Sequence, residues 1–181
     1  MSEPALVRPA TPADAADIAH IHVTTWQQAY DGLLPAALLD SLSLEQRTAY
    51  WTDFLAAVPA DSAVAVAEVD ERVVGFVGTC PSRDEDADPA TTGEVAAIYL
   101  LRPWWDRGIG AQLLVAGEEA VAASGRTEAT LWVLADNERA RAAYERHGWI
   151  ADGATRVEDL HGRLVTEVRY WRSLGSDDAS D

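Results

Sequence analysis

The segment from Glu94 to Gly125 constrains the fold more than any other part of the chain. EVAAIYLLR (94–102) is a strand-like apolar run, and GIGAQLLVAGEEAVAAS (108–124) reads as a helix that stops at Gly125. A strand that feeds a helix through a short loop is half of a crossover unit. A chain that contains one builds a sheet with helices packed on it. Gly108 and Gly110 stand at the helix start beside Arg107. The first turn of a helix carries four N–H groups without intrahelical partners and a partial positive charge. Glycine lets a ligand approach that backbone, so the turn is a candidate anion site. A tight turn in which glycine only relieves crowding is the competing reading, and Gly-x-Gly alone does not choose between them.

The flanking segments complete the pattern. ALVRPA (5–10) reads as a first strand. Thr11-Pro12-Ala13-Asp14 opens a helix, with Thr11 as cap, Pro12 in the first turn and Asp14 complementing the dipole. Ile18, Ile21, His22 and Trp26 follow at helical spacing, and Asp31-Gly32 ends the run. LPAALLDSL (34–42) reads as a second short helix, and the capping box Ser43-Leu44-Glu45-Gln46 opens a third to about Val58. SAVAVAEVD (62–70) and RVVGFVGTC (72–80) form a hairpin over Asp70-Glu71. PSRDEDADPATTG (81–93) is a polar loop expected to be mobile.

After Gly125, TEATLWVLA (127–135) is a strand, and Asp136 is the expected cap of a helix that runs to His147 and stops at Gly148. WIADG (149–153) is short and extended, and RVEDL (156–160) and RLVTEVRYW (163–171) pair over His161-Gly162. No repeat or linker divides the chain. The expected architecture is one α/β domain over residues 1–174, a mixed sheet with helices on both faces, followed by an acidic tail, 175–181, expected to be disordered.

Charge removes several functions. The net charge is −16, and all 14 basic residues are arginine. A nucleic-acid partner needs a basic face, and a phosphate loop of the nucleotide-triphosphate kind needs lysine. One cysteine, Cys80, excludes an internal disulfide and an all-cysteine metal site. It reads as a buried strand residue rather than an acyl carrier, since no activating histidine or lysine is recognisable beside it. His20, His22, His147 and His161 lack a metal-ligand pattern, so no metal is expected. No run of about 18 apolar residues is present, and MSEPALVRPA lacks the basic-then-apolar order of a signal peptide. A cytoplasmic protein is expected. A dinucleotide site wants a third glycine where Leu113 stands and a turn after the first strand, and neither condition is met.

EVAAIYLLRPWWDRGIGAQLL followed by LWVLADNERARAAYERHGW resembles the GNAT N-acetyltransferase superfamily. LVRPATPADAADIAHIH, the VVGFVGT strand and the closing VEDL…RYWR hairpin fit the same family, so the resemblance covers most of the chain. It implies a mostly antiparallel sheet with a splayed central strand pair, 94–101 against 130–135. The family writes its turn Gln/Arg-x-x-Gly-x-Gly/Ala. Here Trp105-Asp106-Arg107-Gly108-Ile109-Gly110 keeps both glycines and places Trp105 at the first position, a departure. By resemblance, amides of Arg107, Gly108, Ile109, Gly110 and Ala111 hold the pyrophosphate of acetyl-CoA. Backbone at Ile98, Tyr99 and Leu100 pairs with the pantetheine arm, and Asn137 contacts the cofactor.

The resemblance also makes Tyr144 the general acid near the sulfur; without it, a core tyrosine is the better reading. An amine attacks a thioester only as the free base, so a group must take a proton. Glu94, at the head of the strand leading to the turn, is the candidate base, directly or through a water; a solvated strand-end glutamate is the alternative. Trp26 and Tyr30 at the end of the first helix are candidates for the acceptor wall, although the stripe His22, Trp26, Tyr30 also suits a core. Ser82, Arg83 and Asp84 are either acceptor contacts or plain loop. The implied activity is transfer of an acetyl group to a primary amine on a small molecule or peptide by direct attack. A non-catalytic acyl-CoA sensor is the alternative. A homodimer is compatible with the resemblance, and no membrane or nucleic-acid partner is expected.

Overall fold

A computed structural model describes residues 5–29, 39, 43–160 and 163–175 of the chain. In order, these are β1 (Leu6–Pro9), α1 (Ala15–Ala29), α2 (Leu44–Ala56), β2 (Ala63–Val69), β3 (Arg72–Pro81), β4 (Thr92–Leu100), α3 (Ile109–Ala123), β5 (Glu128–Leu134), α4 (Glu138–Arg146), β6 (Ile150–Leu160) and β7 (Arg163–Ser173). Short 3-10 turns precede α1 (Pro12–Asp14) and follow β4 (Arg102–Trp104). The strands form one seven-stranded sheet in the order β1-β2-β3-β4-β5-β7-β6. β1 and β2, β5 and β7, and β6 and β7 pair antiparallel, whereas β4 and β5 are parallel. The mixed, mostly antiparallel sheet is therefore as expected. The short helix expected over 34–42, the Asp31-Gly32 stop, the His161-Gly162 turn and most of the acidic tail lie outside the described residues. No helix among the described residues is long and apolar enough to cross a membrane.

The chain condenses into two compact units, residues 1–78 with 97–117 and residues 79–96 with 118–181. In the first, Ile18, Ala19 and Ile21 of α1, Trp51 and Leu55 of α2, and Val66 and Phe76 of the sheet share one apolar cluster. The helical spacing of the α1 residues and the alternate burial along β2 produce it. Ser43 caps α2 by accepting from the Gln46 amide at 3.1 Å. The β2–β3 turn puts Asp70 and Glu71 at φ 49° and 60°, the left-handed pair that a two-residue hairpin requires. Gly75 has a packing reason: an added Cβ lands 2.8 Å from the Tyr99 carbonyl oxygen and 2.9 Å from Leu100 and Leu113 side chains. Only glycine lets β3 lie this close to the end of β4 and the start of α3.

In the second unit, Leu131, Val133, Trp149 and Tyr170 are buried. Two boundaries differ from the sequence reading. WIADG and RVEDL are parts of one strand, β6, whose register against β7 shifts between Ala151 and Thr155, with Gly153 at φ 89°. A bulge absorbs what reads as a break. The loop 82–91 is tied rather than loose. The Ser82 amide donates to Thr92 O at 3.0 Å, Arg126 Nε to Pro89 O at 2.7 Å, and Asp84 and Asp86 both accept from Arg169.

Asp14 does more than face a helix dipole. Its two oxygens accept from Arg8 at 2.8 and 2.9 Å, and Oδ2 also accepts from the Thr11 amide at 2.7 Å. The Arg8 guanidinium holds this buried carboxyl down to about 2, from 3.8. The unfolded chain takes up the proton first, so this contribution is complete above about pH 4 and is lost as pH falls toward 2. Asp14→Asn should cost about 2 kcal/mol at neutral pH, the range for hydrogen bonds to a charged group. Urea unfolding at stepped pH checks it: the gap between wild type and variant should close below about pH 4.

Candidate active site

The turn after β4 lies in the first unit, and its geometry follows from three residues. Asp106 and Gly108 take φ of 60° and 78°. Gln112 N donates to Gly108 O at 3.2 Å, which makes Gly108 the residue that caps α3. Glycine has no side chain to fill the cap, and the first turn of α3 contains no acid. The four leading amides, Gly108 to Ala111, are the donors such a helix start leaves to a ligand. A Cβ on Gly108 meets no atom within 4 Å, so its glycine answers to the backbone angle and to nothing packed on it. Arg107 stacks on Trp104 at 4.9 Å and Arg102 on Trp105 at 5.7 Å, so two cations flank the turn on aromatic faces. Trp105, the departure from the family pattern, donates from Nε1 to Leu100 O at 2.8 Å and staples the turn to the strand before it.

The end of β4 presents backbone. Leu101 N donates to Val74 O at 3.0 Å, whereas Leu100 O accepts from Trp105 Nε1, so at this end of the strand Leu101 turns to β3 and Leu100 to the opposite edge. The β4–β5 register covers Thr92↔Glu128, Gly93↔Ala129 and Glu94↔Thr130 and goes no further, although β4 continues to Leu100. Tyr99, expected to act through its backbone, also offers its side chain to α1. Its ring stacks on His22 at 5.2 Å, and its hydroxyl accepts from Trp26 Nε1 at 3.1 Å. Trp26 is thereby fixed against β4, whereas Tyr30 lies outside the described residues. His22 is also ringed by Trp51 and Phe76, and its Nδ1 is buried without a hydrogen-bond partner. Burial, with a contribution from the Arg47 charge, holds the imidazole down to about 4.

In the second unit, Glu94 is buried, 2% exposed, and not the solvated strand-end residue the sequence also allowed. Arg83 grips it with Nη2 on Oε1 at 2.6 Å and Nε on Oε2 at 3.0 Å. The Glu94 carboxylate raises the affinity of the Arg83 guanidinium for its proton. Ser82 is buried and accepts from the Asp84 amide at 3.3 Å, and Asp84 accepts from Trp132 Nε1 at 2.9 Å. Cys80, expected to be buried, is half-buried.

Helix α4 carries the remaining candidates. Its cap is Asn137, not Asp136: Asn137 Oδ1 accepts from the Ala140 amide at 3.1 Å. The amide of Asn137 points its other group, Nδ2, away from that task, and the residue is exposed. Tyr144 is half-buried, with its ring 5.9 Å from Tyr170 and 6.5 Å from Trp149. Tyr170 in turn donates to Glu145 at 2.6 Å and accepts from Arg141 Nε at 3.2 Å, which locks α4 onto β7. His147 ends the helix, its Nδ1 2.8 Å from Ala143 O.

The family model for acetyltransferase (GNAT) matches residues 21–149, a span that includes the second half of α1, the glycine turn and α4. The chain belongs to the GNAT acetyltransferase family. It is 33% identical over 133 residues to the uncharacterized N-acetyltransferase YuaI of Bacillus subtilis, covering 72% of each chain. Among solved structures it resembles yncA from Salmonella typhimurium, solved with its cofactor acetyl-CoA, at TM-score 0.72 and 19% identity over 99% of both chains. It also resembles the ribosomal-protein-alanine N-acetyltransferase of Brucella melitensis, at TM-score 0.73 and 22% identity, covering 93% of this chain and 99% of that one.

For this acetyltransferase, sequence reasoning put Gly108 at the start of α3 and Asn137 and Tyr144 on the helix after β5, as the structure has them. It missed two side-chain pairs: His22 with Tyr99, and Arg83 with Glu94. The spacing of His22 and Trp26 on one helix stripe was the available signal for the first. The second joins residues 11 apart across a loop, and no local pattern marks it.

The state of His22 can be measured directly. Its imidazole should titrate near pH 4 by proton NMR, well below the usual 6.5. The unfolded chain binds that proton first, so stability should fall as pH drops from about 6.5 to 4. His22→Phe should remove this component, and a His22 midpoint near 6.5 would refute the assignment.

Proposed function

We propose that this acetyltransferase moves an acetyl group from acetyl-CoA to a primary amine by direct attack within a ternary complex. The observation that carries the reading is the start of α3. Its capping residue, Gly108, has no side chain and takes a left-handed angle, and its first turn contains no acid. Diphosphate fits this donor set, and Arg102 and Arg107 supply charge beside it. Ile98, Tyr99 and Leu100 fit the amide-rich arm of the cofactor, because they lie on the stretch of β4 that the β4–β5 ladder does not cover. The Leu100 carbonyl is held by Trp105. Family resemblance makes Asn137 a cofactor contact, and Asn137 spends its side-chain oxygen as a cap.

Acetyl-CoA supplies the acyl group as a thioester. In the transfer, the amine nitrogen bonds to the acyl carbon and the carbon–sulfur bond breaks. Glu94 takes the proton lost by the amine, directly or through a water, and the Tyr144 hydroxyl donates a proton to the departing sulfur. Two aromatic neighbours, Tyr170 and Trp149, support this assignment by fixing the Tyr144 ring, while the hydrogen-bonded Tyr170 anchors its helix. Trp26 is assigned to the acceptor wall, held there by Tyr99.

Thiol release from acetyl-CoA over a panel of amino acids, polyamines, aminoglycosides and peptide α-amines tests the activity. Release with at least one acceptor is expected. Coenzyme A binding without release for any acceptor would favour a sensor. Tyr144→Phe should lower kcat about 10- to 100-fold with little change in acetyl-CoA affinity, the scale of a lost proton donor. Gly108→Val should abolish coenzyme A binding, measured by tryptophan quenching. A folded Gly108→Val protein that binds normally would overturn the site.

A further inference from the structure

We propose that Arg83 is a positioning residue for Glu94: its guanidinium sets the direction of the carboxylate and is the counter-charge that lets it ionise inside the protein. The role given to Glu94 above is the functional context, and the geometry stands apart from it. The Glu94 side chain is 3% exposed and that of Arg83 64% exposed, so the acid is internal and the base reaches in from the surface. Both carboxylate oxygens are occupied, Oε1 by Nη2 at 2.6 Å and Oε2 by Nε at 3.0 Å, and the Arg83 backbone amide adds 3.3 Å to Oε2. A planar fork on both oxygens fixes the rotation of the carboxylate as well as its place, which a single point charge cannot do.

The fork itself is held on both sides. The Ser82 amide is bonded to Thr92 of β4, and Asp84 is bonded to Arg169 of β7 at 3.1 Å and to Trp132 of β5 at 2.9 Å. Adjacent residues of opposite charge, Arg83 and Asp84, thus each enter an ion pair with a different strand. The other titratable groups acting here are Cys80 at the end of β3 and Asp84, and both favour the Arg83 cation. From β5 the residue opposite Glu94 is Thr130, which is uncharged and bonded to Gly93 O. Arg83 is accordingly the cation that the surroundings direct at Glu94. A buried carboxylate stripped of its counter-charge is driven toward the neutral acid.

The test titrates the carboxyl itself and then the reaction. Protein labelled with carboxyl-13C glutamate is followed by NMR against pH for wild type and for Arg83→Gln and Arg83→Lys, with the Glu94 signal assigned by its loss in Glu94→Gln. The Glu94 midpoint should rise by at least about one pH unit in Arg83→Gln, a tenfold change in protonation equilibrium. It should rise by less in Arg83→Lys, which keeps the charge and loses the fork. The acidic limb of the rate–pH profile should move with it. A Glu94 midpoint that is unchanged in folded Arg83→Gln overturns the proposal. Should that variant not fold, an unchanged midpoint in Arg83→Lys does so. A raised midpoint supports it even if the rate limb stays in place, and that combination, with a limb surviving in Glu94→Gln, removes Glu94 as the base instead.

Discussion

The short parallel ladder between β4 and β5 is the constraint from which the candidate site follows. Three residue pairs, ending at Glu94↔Thr130, join the two strands, and β4 then continues for six residues without them. Each stretch of β4 acquires a different task. Thr92 and Gly93 serve packing, with Gly93 accepting Val121 so closely that an added Cβ falls 2.5 Å from it. Glu94 closes the ladder with a buried charge. Ile98, Tyr99 and Leu100 lie past the ladder, and Tyr99 meets α1 with its ring. A longer ladder would consume polar groups of this stretch in strand pairing. β4 outlasts the hydrogen bonds that pair it with β5.

Charge is divided between structure and site in a way that the composition makes necessary. Acids outnumber arginines 30 to 14, and no lysine is available. The arginines that stabilise the fold are surrounded by acids: Arg8 by Asp14 and Glu68, Arg169 by Asp84, Asp86 and Asp152. Buried or half-buried forks of this kind need arginine geometry, since each guanidinium serves several oxygens at once. Arg102 and Arg107 are placed differently. They rest on tryptophan faces beside the glycine turn. Aromatic stacking orders a cation without neutralising it, which keeps its charge for an anion.

The sequence was legible where a residue's conformation has a local cause. Gly108 and Gly125 mark the two ends of α3 because both take positive φ, and Ser43 announces α2 because its hydroxyl reaches three residues ahead. Asp70-Glu71 marks the hairpin for the same kind of reason. Legibility stopped where the partner is remote. Asp136 and Asn137 are both good caps, and choosing between them needs the backbone. Ala151 to Thr155 reads as a break because a bulge has no residue signature beyond Gly153. The polar composition of 82–91 suggests a loose loop, yet its carboxylates meet Arg169, some 83 to 85 positions away. Glu94 is the sharpest case: a glutamate at a strand end is ordinarily solvated, and only the fold reveals that it is internal.

The one departure from the family turn has a structural use that bears on this division. A glutamine or arginine at position 105 can reach a ligand with its own polar group, whereas Trp105 spends its single donor on Leu100 O. That bond ties the loop to the strand end and satisfies the carbonyl nearest the turn. The indole face meanwhile supports Arg102. A side-chain donor has thus been exchanged for a staple that orders two neighbours, the strand end and a cation. If backbone amides supply most of the binding, such an exchange loses one contact and pre-organises the rest, and the entropic cost of ordering the turn is met before a ligand arrives. Trp104 repeats the arrangement under Arg107. The consecutive tryptophans therefore act as a platform that orders the turn and its two arginines.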